Sequence, residues 1–252
     1  MSTEKERNEV IRAVFYPFVF LSLMWIVKGV EYLWDISLSQ YGLYPLSLKG
    51  LLGIFSMPFL HSGFEHLSSN SLPFIFLGFL LFFFYKELAW KILIWIWLLT
   101  GAWLWLGARD AYHIGASGVV YGLVAFLFLS GILRNNRKLL TLTLIVTFLY
   151  GGLIWGFFPE FFPHKNISWE GHLYGFISGL LMAVYYRKEG PTEDLFHWDD
   201  SDVPDDENAY WRSSQPTDKN SLSQRARPTR IQYHYKRTRK EKTNDEKTQT
   251  KQ

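Results

Sequence analysis

Three polar clusters border or interrupt apolar stretches of the chain, and each holds side chains able to attack a carbonyl, move a proton or donate to an anion. In Gly115-Ala116-Ser117-Gly118-Val119-Val120-Tyr121-Gly122 a serine stands between small residues at the start of an apolar run. At a helix N-terminus such a serine lies beside free N–H groups and the positive end of the dipole, which favour a developing negative charge. In Trp169-Glu170-Gly171-His172-Leu173-Tyr174-Gly175-Phe176-Ile177-Ser178-Gly179, His172, Gly175 and Gly179 fall at i, i+3 and i+7 on one helical face. In His61-Ser62-Gly63-Phe64-Glu65-His66-Leu67-Ser68-Ser69-Asn70, His66 and Asn70 are four apart and share a face. A serine becomes a nucleophile only with a base beside it. A neutral imidazole, with an unperturbed pKa of about 6.5, can accept its proton at physiological pH.

Each cluster also has a plainer reading. His66 and Asn70 suit interfacial caps at a helix entrance. Gly118 and Gly122 form a G-x-x-x-G helix-packing seam, and a lone intramembrane histidine is usually structural. Val119 stands where the nucleophile elbow of soluble hydrolases has glycine, so that fold is not indicated.

The elements that must position these groups are apolar spans. A bilayer core of roughly 30 Å needs about 20 mostly apolar residues per helix. Six stretches qualify: about Ala13–Val30, His66–Tyr85, Leu88–Leu106, Gly115–Leu133, Leu139–Phe157 and Gly171–Tyr186. Six such spans in 188 residues leave too little polar surface for a soluble globule. No small-x-small site follows the first span, and Lys28 and Glu31 stand where cleavage would occur, so it reads as a retained signal-anchor helix. The glycines on the His172 face let another backbone come close. If that face meets the Gly118/Gly122 seam, Ser117 and His172 come within hydrogen-bond reach.

Composition narrows the classes further. Of the 252 residues 48% are hydrophobic and 18% aromatic, with 11 Trp and no Cys, so disulfides, thiolate metal sites and a cysteine nucleophile are excluded. The net charge of +3 is too small and scattered for a nucleic-acid binder. Residues 1–188 carry 14 Lys+Arg and 10 Asp+Glu, whereas residues 189–252 carry 12 and 13. That tail is acidic over 189–218 and basic over 219–252, and too polar to offset its chain entropy by burial, so disorder is expected. Its basic end could lie on anionic lipid or pair with the acidic block, or the tail could simply be solvated. The expected organisation is a short N-terminal segment (1–12), a helical core (13–188) and the charged tail (189–252). With the N-terminus inside, Lys5, Arg7, Arg12, Lys86, Lys91, Arg134, Arg137, Lys138, Arg187 and Lys188 fall on the inner side, against Lys28, Lys49, Arg109 and Lys165 outside. Ten against four places both termini in the cytoplasm.

Taken together, the clusters resemble the rhomboid family of intramembrane serine proteases. The resemblance rests on H-x-x-x-x-H-x-x-x-N at His61, His66 and Asn70, on Gly115-Ala116-Ser117-Gly118 followed by Tyr121, and on G-H-x-x-G-x-x-x-G from Gly171 to Gly179, over about residues 13–188. It implies an all-α polytopic bundle of six transmembrane helices, with Ser117 as nucleophile and His172 as base in a dyad lacking an acidic third member. It implies an oxyanion hole of His66, Asn70 and the Ser117 N–H, a Tyr121 ring packed against His172, and Gly115 bending the approach to Ser117. It implies that His61 is a feature of the loop entering the second helix, structural rather than catalytic. No metal or cofactor is implied; the partners are transmembrane protein substrates and the lipid bilayer, and a prokaryotic inner or plasma membrane fits the compact core. Many members carry a Trp-Arg pair where Leu52-Gly53 stands here, which puts the anchoring of that loop in question rather than the dyad. Two other classes stay open: an inactive relative that binds membrane proteins, and a small transporter. Against the first stand all four polar residues; against the second, the near absence of Asp and Glu inside the spans.

Overall fold

A computed structural model describes residues 2–134, 136–158 and 168–191. The acidic-then-basic tail beyond 191 and Lys165 lie outside the described residues. The described residues are helical with no strand: α1 (Ser2–Leu33), α2 (Leu48–Ser56), α3 (Phe64–Phe84), α4 (Ala89–Gly107), α5 (Ser117–Arg134), α6 (Arg137–Tyr150) and α7 (Trp169–Tyr185). Five helices are long and apolar enough to cross a membrane, and α7 follows with 17 residues. The chain is an integral, multi-pass, all-α membrane protein.

Boundaries differ from the sequence expectation in two informative places. α1 begins at Ser2, so the charged segment before the first span is itself helical. The fifth span is not one continuous helix: α6 ends at Tyr150 and tightens into a 3₁₀ turn over Gly151–Phe157. Two consecutive glycines, Gly151 and Gly152, remove helix propensity there, and the turn's carbonyls face the site.

α5 is the hub. Its apolar stretch is 61% buried, against 17% for α1 and 22% for α6. Leu123, Phe126 and Leu127 pack in one core with Leu77 and Leu81 of α3, Ile92 and Ile96 of α4 and Ala183 of α7. α1 leans on α3 through Pro17, against which a side chain at Gly78 would lie only 2.8 Å away. At the end remote from the site, Arg134 donates to Ser130 Oγ (2.9 Å) and the Tyr186 carbonyl (2.6 Å), so its charge fastens α5 to α7. The charges at depth on α1 are paired: Lys28 Nζ donates to Glu31 Oε2 (3.1 Å) and to the His61 carbonyl (3.1 Å), and Glu31 Oε1 accepts from the Leu38 N–H (2.7 Å). Such additional hydrogen bonds help offset the desolvation cost of a buried ion pair.

The short helix α2 lies in the loop between α1 and α3, capped by Ser47, whose Oγ accepts from the Gly50 N–H at 2.9 Å. Leu48, Leu52 and Phe55 are exposed on its outer side. Gly53 admits no side chain, because any Cβ would strike the Leu43 backbone and the Gly42 carbonyl. The crossing chain therefore leaves position 53 no room for a side chain such as arginine. The loop is held from α4 instead, with Trp97 Nε1 donating to the Ile54 carbonyl (2.7 Å) and Trp105 Nε1 to the Ser47 carbonyl (2.9 Å).

Candidate active site

Ser117 is the first residue of α5, half-buried, where helix N–H groups have no intrahelical acceptor. The arm leading to it turns at Gly115, whose φ of +112° suits glycine alone. The Gly115 N–H donates to the Met57 carbonyl at 2.8 Å, and the Leu43 and His113 backbones exchange hydrogen bonds of 3.1 and 2.8 Å.

α7 delivers His172 one turn after its N-cap, Ser168. It runs against α5 backbone to backbone. A Cβ on Gly175 would collide with the Gly118 carbonyl oxygen and stand 2.7 Å from its carbon, and one on Gly179 would strike the Gly122 carbonyl. In return, a Cβ on Gly118 would lie 3.0 Å from the Gly171 oxygen, and one on Gly122 3.0 Å from the Gly175 oxygen. The two small-residue stripes are thus opposed, which brings the residues next to Ser117 against those next to His172. Among the described residues no hydrogen bond joins Ser117 Oγ to His172; catalytic bonds in unliganded enzymes are often open and tighten on binding.

The His172 ring is buried and fixed from two sides. The Tyr121 ring stacks on it with centroids 4.2 Å apart and planes 5° from parallel. His172 Nδ1 lies 2.8 Å from the Gly156 carbonyl oxygen. A carbonyl only accepts, so Nδ1 carries the hydrogen and the neutral ring leaves its lone pair on Nε2. Tyr121 in turn donates to the Leu153 carbonyl at 2.6 Å. The 3₁₀ turn after α6 thus holds both rings. Gly156 lies tight against Tyr121: a Cβ there would collide with Tyr121 Oη unless the turn shifted.

His66 and Asn70, on the first turns of α3, converge on the arm before Ser117. From the point where a Gly115 Cβ would sit, His66 Nε2 is 2.8 Å and Asn70 Nδ2 3.8 Å away. Asn70 Nδ2 is buried and otherwise unpartnered, a free donor aimed at this point. His66 Nδ1 is 3.2 Å from Ser62 Oγ. His61 packs edge-on to His66 with centroids at 5.1 Å, and burial, with His66 beside it, pushes its imidazole down to about 3. Glu170 pairs with Arg109 (3.5 Å). No cluster of three or more metal-binding side chains occurs among the described residues.

The reading of the sequence missed Gly156, Leu153 and His113. The first two act through carbonyl oxygens, which any residue type supplies. Gly156 did leave a faint signal, a third glycine closing the Gly151-Gly152 run. His113 is a fully buried histidine four residues before Ser117, a spacing that could have drawn notice.

Fold and site together define a polytopic helical membrane protein with an intramembrane Ser/His/Asn constellation. The family model of the rhomboid domain matches residues 49–189. The chain is 34% identical over 173 residues to an uncharacterized protein of Mycobacterium tuberculosis, covering 65% of this chain and 71% of that one. It is 33% identical over 172 residues to an uncharacterized protein of Mycobacterium leprae, at 65% and 67% coverage. Over 133 residues it is 32% identical to an Acanthamoeba polyphaga mimivirus protein whose name describes it as a rhomboid protein, covering 51% of this chain and 71% of that one. The chain belongs to the rhomboid family.

Proposed function

We propose that the protein is an intramembrane serine endopeptidase that cleaves transmembrane segments of other membrane proteins with a Ser117–His172 dyad. The observation that carries this reading is the state of His172. With its Nδ1 hydrogen on Gly156 and its ring clamped on Tyr121, the basic Nε2 is the one nitrogen left for a substrate step, on a helix pressed against the start of α5. Ser117 Oγ attacks the scissile carbonyl carbon as its proton passes to His172 Nε2. The oxyanion is met by His66 Nε2, Asn70 Nδ2 and the Ser117 N–H. Collapse breaks the C–N bond, His172 protonates the leaving amine, and water, giving its proton to the same nitrogen, cleaves the acyl-enzyme. A backbone carbonyl thus orients the base where soluble triads use a carboxylate. Both termini are cytoplasmic in this reading, as the Lys/Arg bias supports, and the mycobacterial relatives favour a bacterial plasma membrane. The charged tail takes no part in the chemistry.

The second reading is an inactive scaffold that binds membrane proteins, favoured by the open Ser117–His172 pair. Labelling of the detergent-solubilised protein with a fluorophosphonate probe separates the two. Wild type should label, whereas Ser117→Ala and His172→Ala should not. Folded wild type that stays unlabelled overturns the protease reading.

A further inference from the structure

Among the buried ionisable side chains, His113 has no part in the steps above, yet it lines the same small cavity as Ser117, together with Ser168, Gly171 and Met57. Its contacts cross from one half of the dyad to the other. Its Nε2 lies 3.1 Å from the Arg109 carbonyl, within its own arm. Its Nδ1 lies 2.7 Å from Ser168 Oγ, the N-cap of the helix that carries His172.

In the neutral ring the donors and acceptors follow from the Arg109 carbonyl. The Arg109 carbonyl only accepts, so Nε2 carries the hydrogen and Nδ1 is an acceptor. Ser168 therefore donates its hydroxyl proton to Nδ1, while its oxygen accepts from the Gly171 N–H at 3.3 Å. The chain runs Gly171 N–H to Ser168, Ser168 to His113, His113 to Arg109, and every member is filled. Burial pushes the His113 imidazole below its ordinary value; the Arg109 carbonyl and the Glu170 carboxylate act the other way, and the Arg109 guanidinium adds to the lowering. The neutral, donor-acceptor form is thereby kept at physiological pH. The Arg109–Glu170 pair crosses the same junction at 3.5 Å but is half open to solvent on the arginine side, so salt and water weaken it.

We propose that His113 is a positioning residue: through Ser168 it locks the arm carrying Ser117 to the first turn of α7, and so sets the distance between Ser117 and His172. The proposal rests on the proteolytic reading. The glycine stripes fix how closely α5 and α7 approach, but a helix can still slide or turn along its partner. A hydrogen bond from the arm to the N-cap removes that freedom, and misplacing a reacting atom by about 1 Å can lower a rate about 100-fold.

The test uses the full chain in detergent and in proteoliposomes. It measures the rate constant and final amplitude of fluorophosphonate labelling, and kcat and KM on a transmembrane substrate. His113→Leu should lower the labelling rate constant and kcat by about 10- to 100-fold at unchanged amplitude and KM. His113→Asn, which keeps an acceptor toward Ser168, should restore most of that rate. Ser168→Gly separates capping from locking, because glycine is tolerated at an N-cap at little cost but offers no side chain to His113; it should be as slow as His113→Leu. The double variant His113→Leu/Ser168→Gly should be no slower than either single one. The proposal is overturned if Ser168→Gly keeps the wild-type rate, or if His113→Leu lowers only the amplitude, which would mean fewer folded molecules of normal reactivity. Unlabelled wild type would instead sink the proteolytic reading. In that event ¹⁵N NMR of the histidines still judges the lock: His113 should show a protonated Nε2 and an Nδ1 resonance that shifts in Ser168→Gly, and an unmoved resonance would refute it.

Discussion

The α5–α7 seam and the α2–α4 corner each hold part of the site, by opposite means. At the seam the contact is made by what is missing: Gly175 and Gly179 lie on the carbonyls of Gly118 and Gly122, with no side chain between. At the corner it is made by large groups, the indoles of Trp97 and Trp105 reaching the carbonyls of Ile54 and Ser47. Backbone resting on backbone has no rotamer to adjust, so the seam holds the approach of α5 and α7 within narrow limits. An indole swings about two torsions and can follow a loop that moves. The proposed chemistry sits on the unforgiving contact, and the loop bordering the site on the adaptable one.

The sharpest way to break this contrast is Gly175→Leu. Its Cβ strikes the Gly118 carbonyl whatever rotamer follows, so α7 must withdraw from α5. Labelling and substrate cleavage should fall about 100-fold or more, with membrane insertion intact. Gly29→Ala is the control, since a methyl there meets nothing within 4 Å. Full activity in Gly175→Leu would show that the dyad does not depend on the seam.

A smaller effect is expected at Gly156, where the two modes of contact meet. Alanine there collides with Tyr121 Oη and stands 3.0 Å from His172 Nδ1, but one methyl can be accommodated by a shift of the 3₁₀ turn. The carbonyl that orients His172 moves with it. kcat should drop about tenfold at nearly constant KM, the pattern of a lost transition-state interaction. A change in KM alone would mean that the turn contacts substrate rather than the base.

These two positions also mark how far the sequence could be read. The opposed stripes were legible because close packing demands a residue type, and glycine at Gly118, Gly122, Gly175 and Gly179 announces itself through spacing. The spans were legible because the bilayer imposes length and apolarity. The hydrogen bonds that orient the site were not. His172, Tyr121, Trp97, Trp105 and His113 all bond to main-chain oxygens, at Gly156, Leu153, Ile54, Ser47 and Arg109, and a carbonyl leaves no mark in the identity of the residue that bears it. The break of the fifth span at Gly151 was visible in composition but was outweighed by the apolar residues around it. The anchoring of the loop that lacks a Trp-Arg pair was illegible for a related reason: its anchors sit on α4, 43 and 58 residues away, where tryptophans look like ordinary membrane aromatics.

The mildest change follows from that last point. Trp97→Phe keeps the aromatic contacts with Phe20 and Phe59 but removes the donor to the Ile54 carbonyl. Net loss of such a bond is worth about 1 kcal/mol, rising toward about 2 kcal/mol if the acceptor stays dry. Thermal unfolding in detergent should therefore begin earlier, while the labelling rate per folded molecule stays within about twofold of wild type, because Trp105 still holds the other end of α2. If labelling instead fell as steeply as in Gly175→Leu, the corner would be no more adaptable than the seam. The site would then depend on α2 being held rigidly, and the distinction between the two contacts would collapse into one continuous frame.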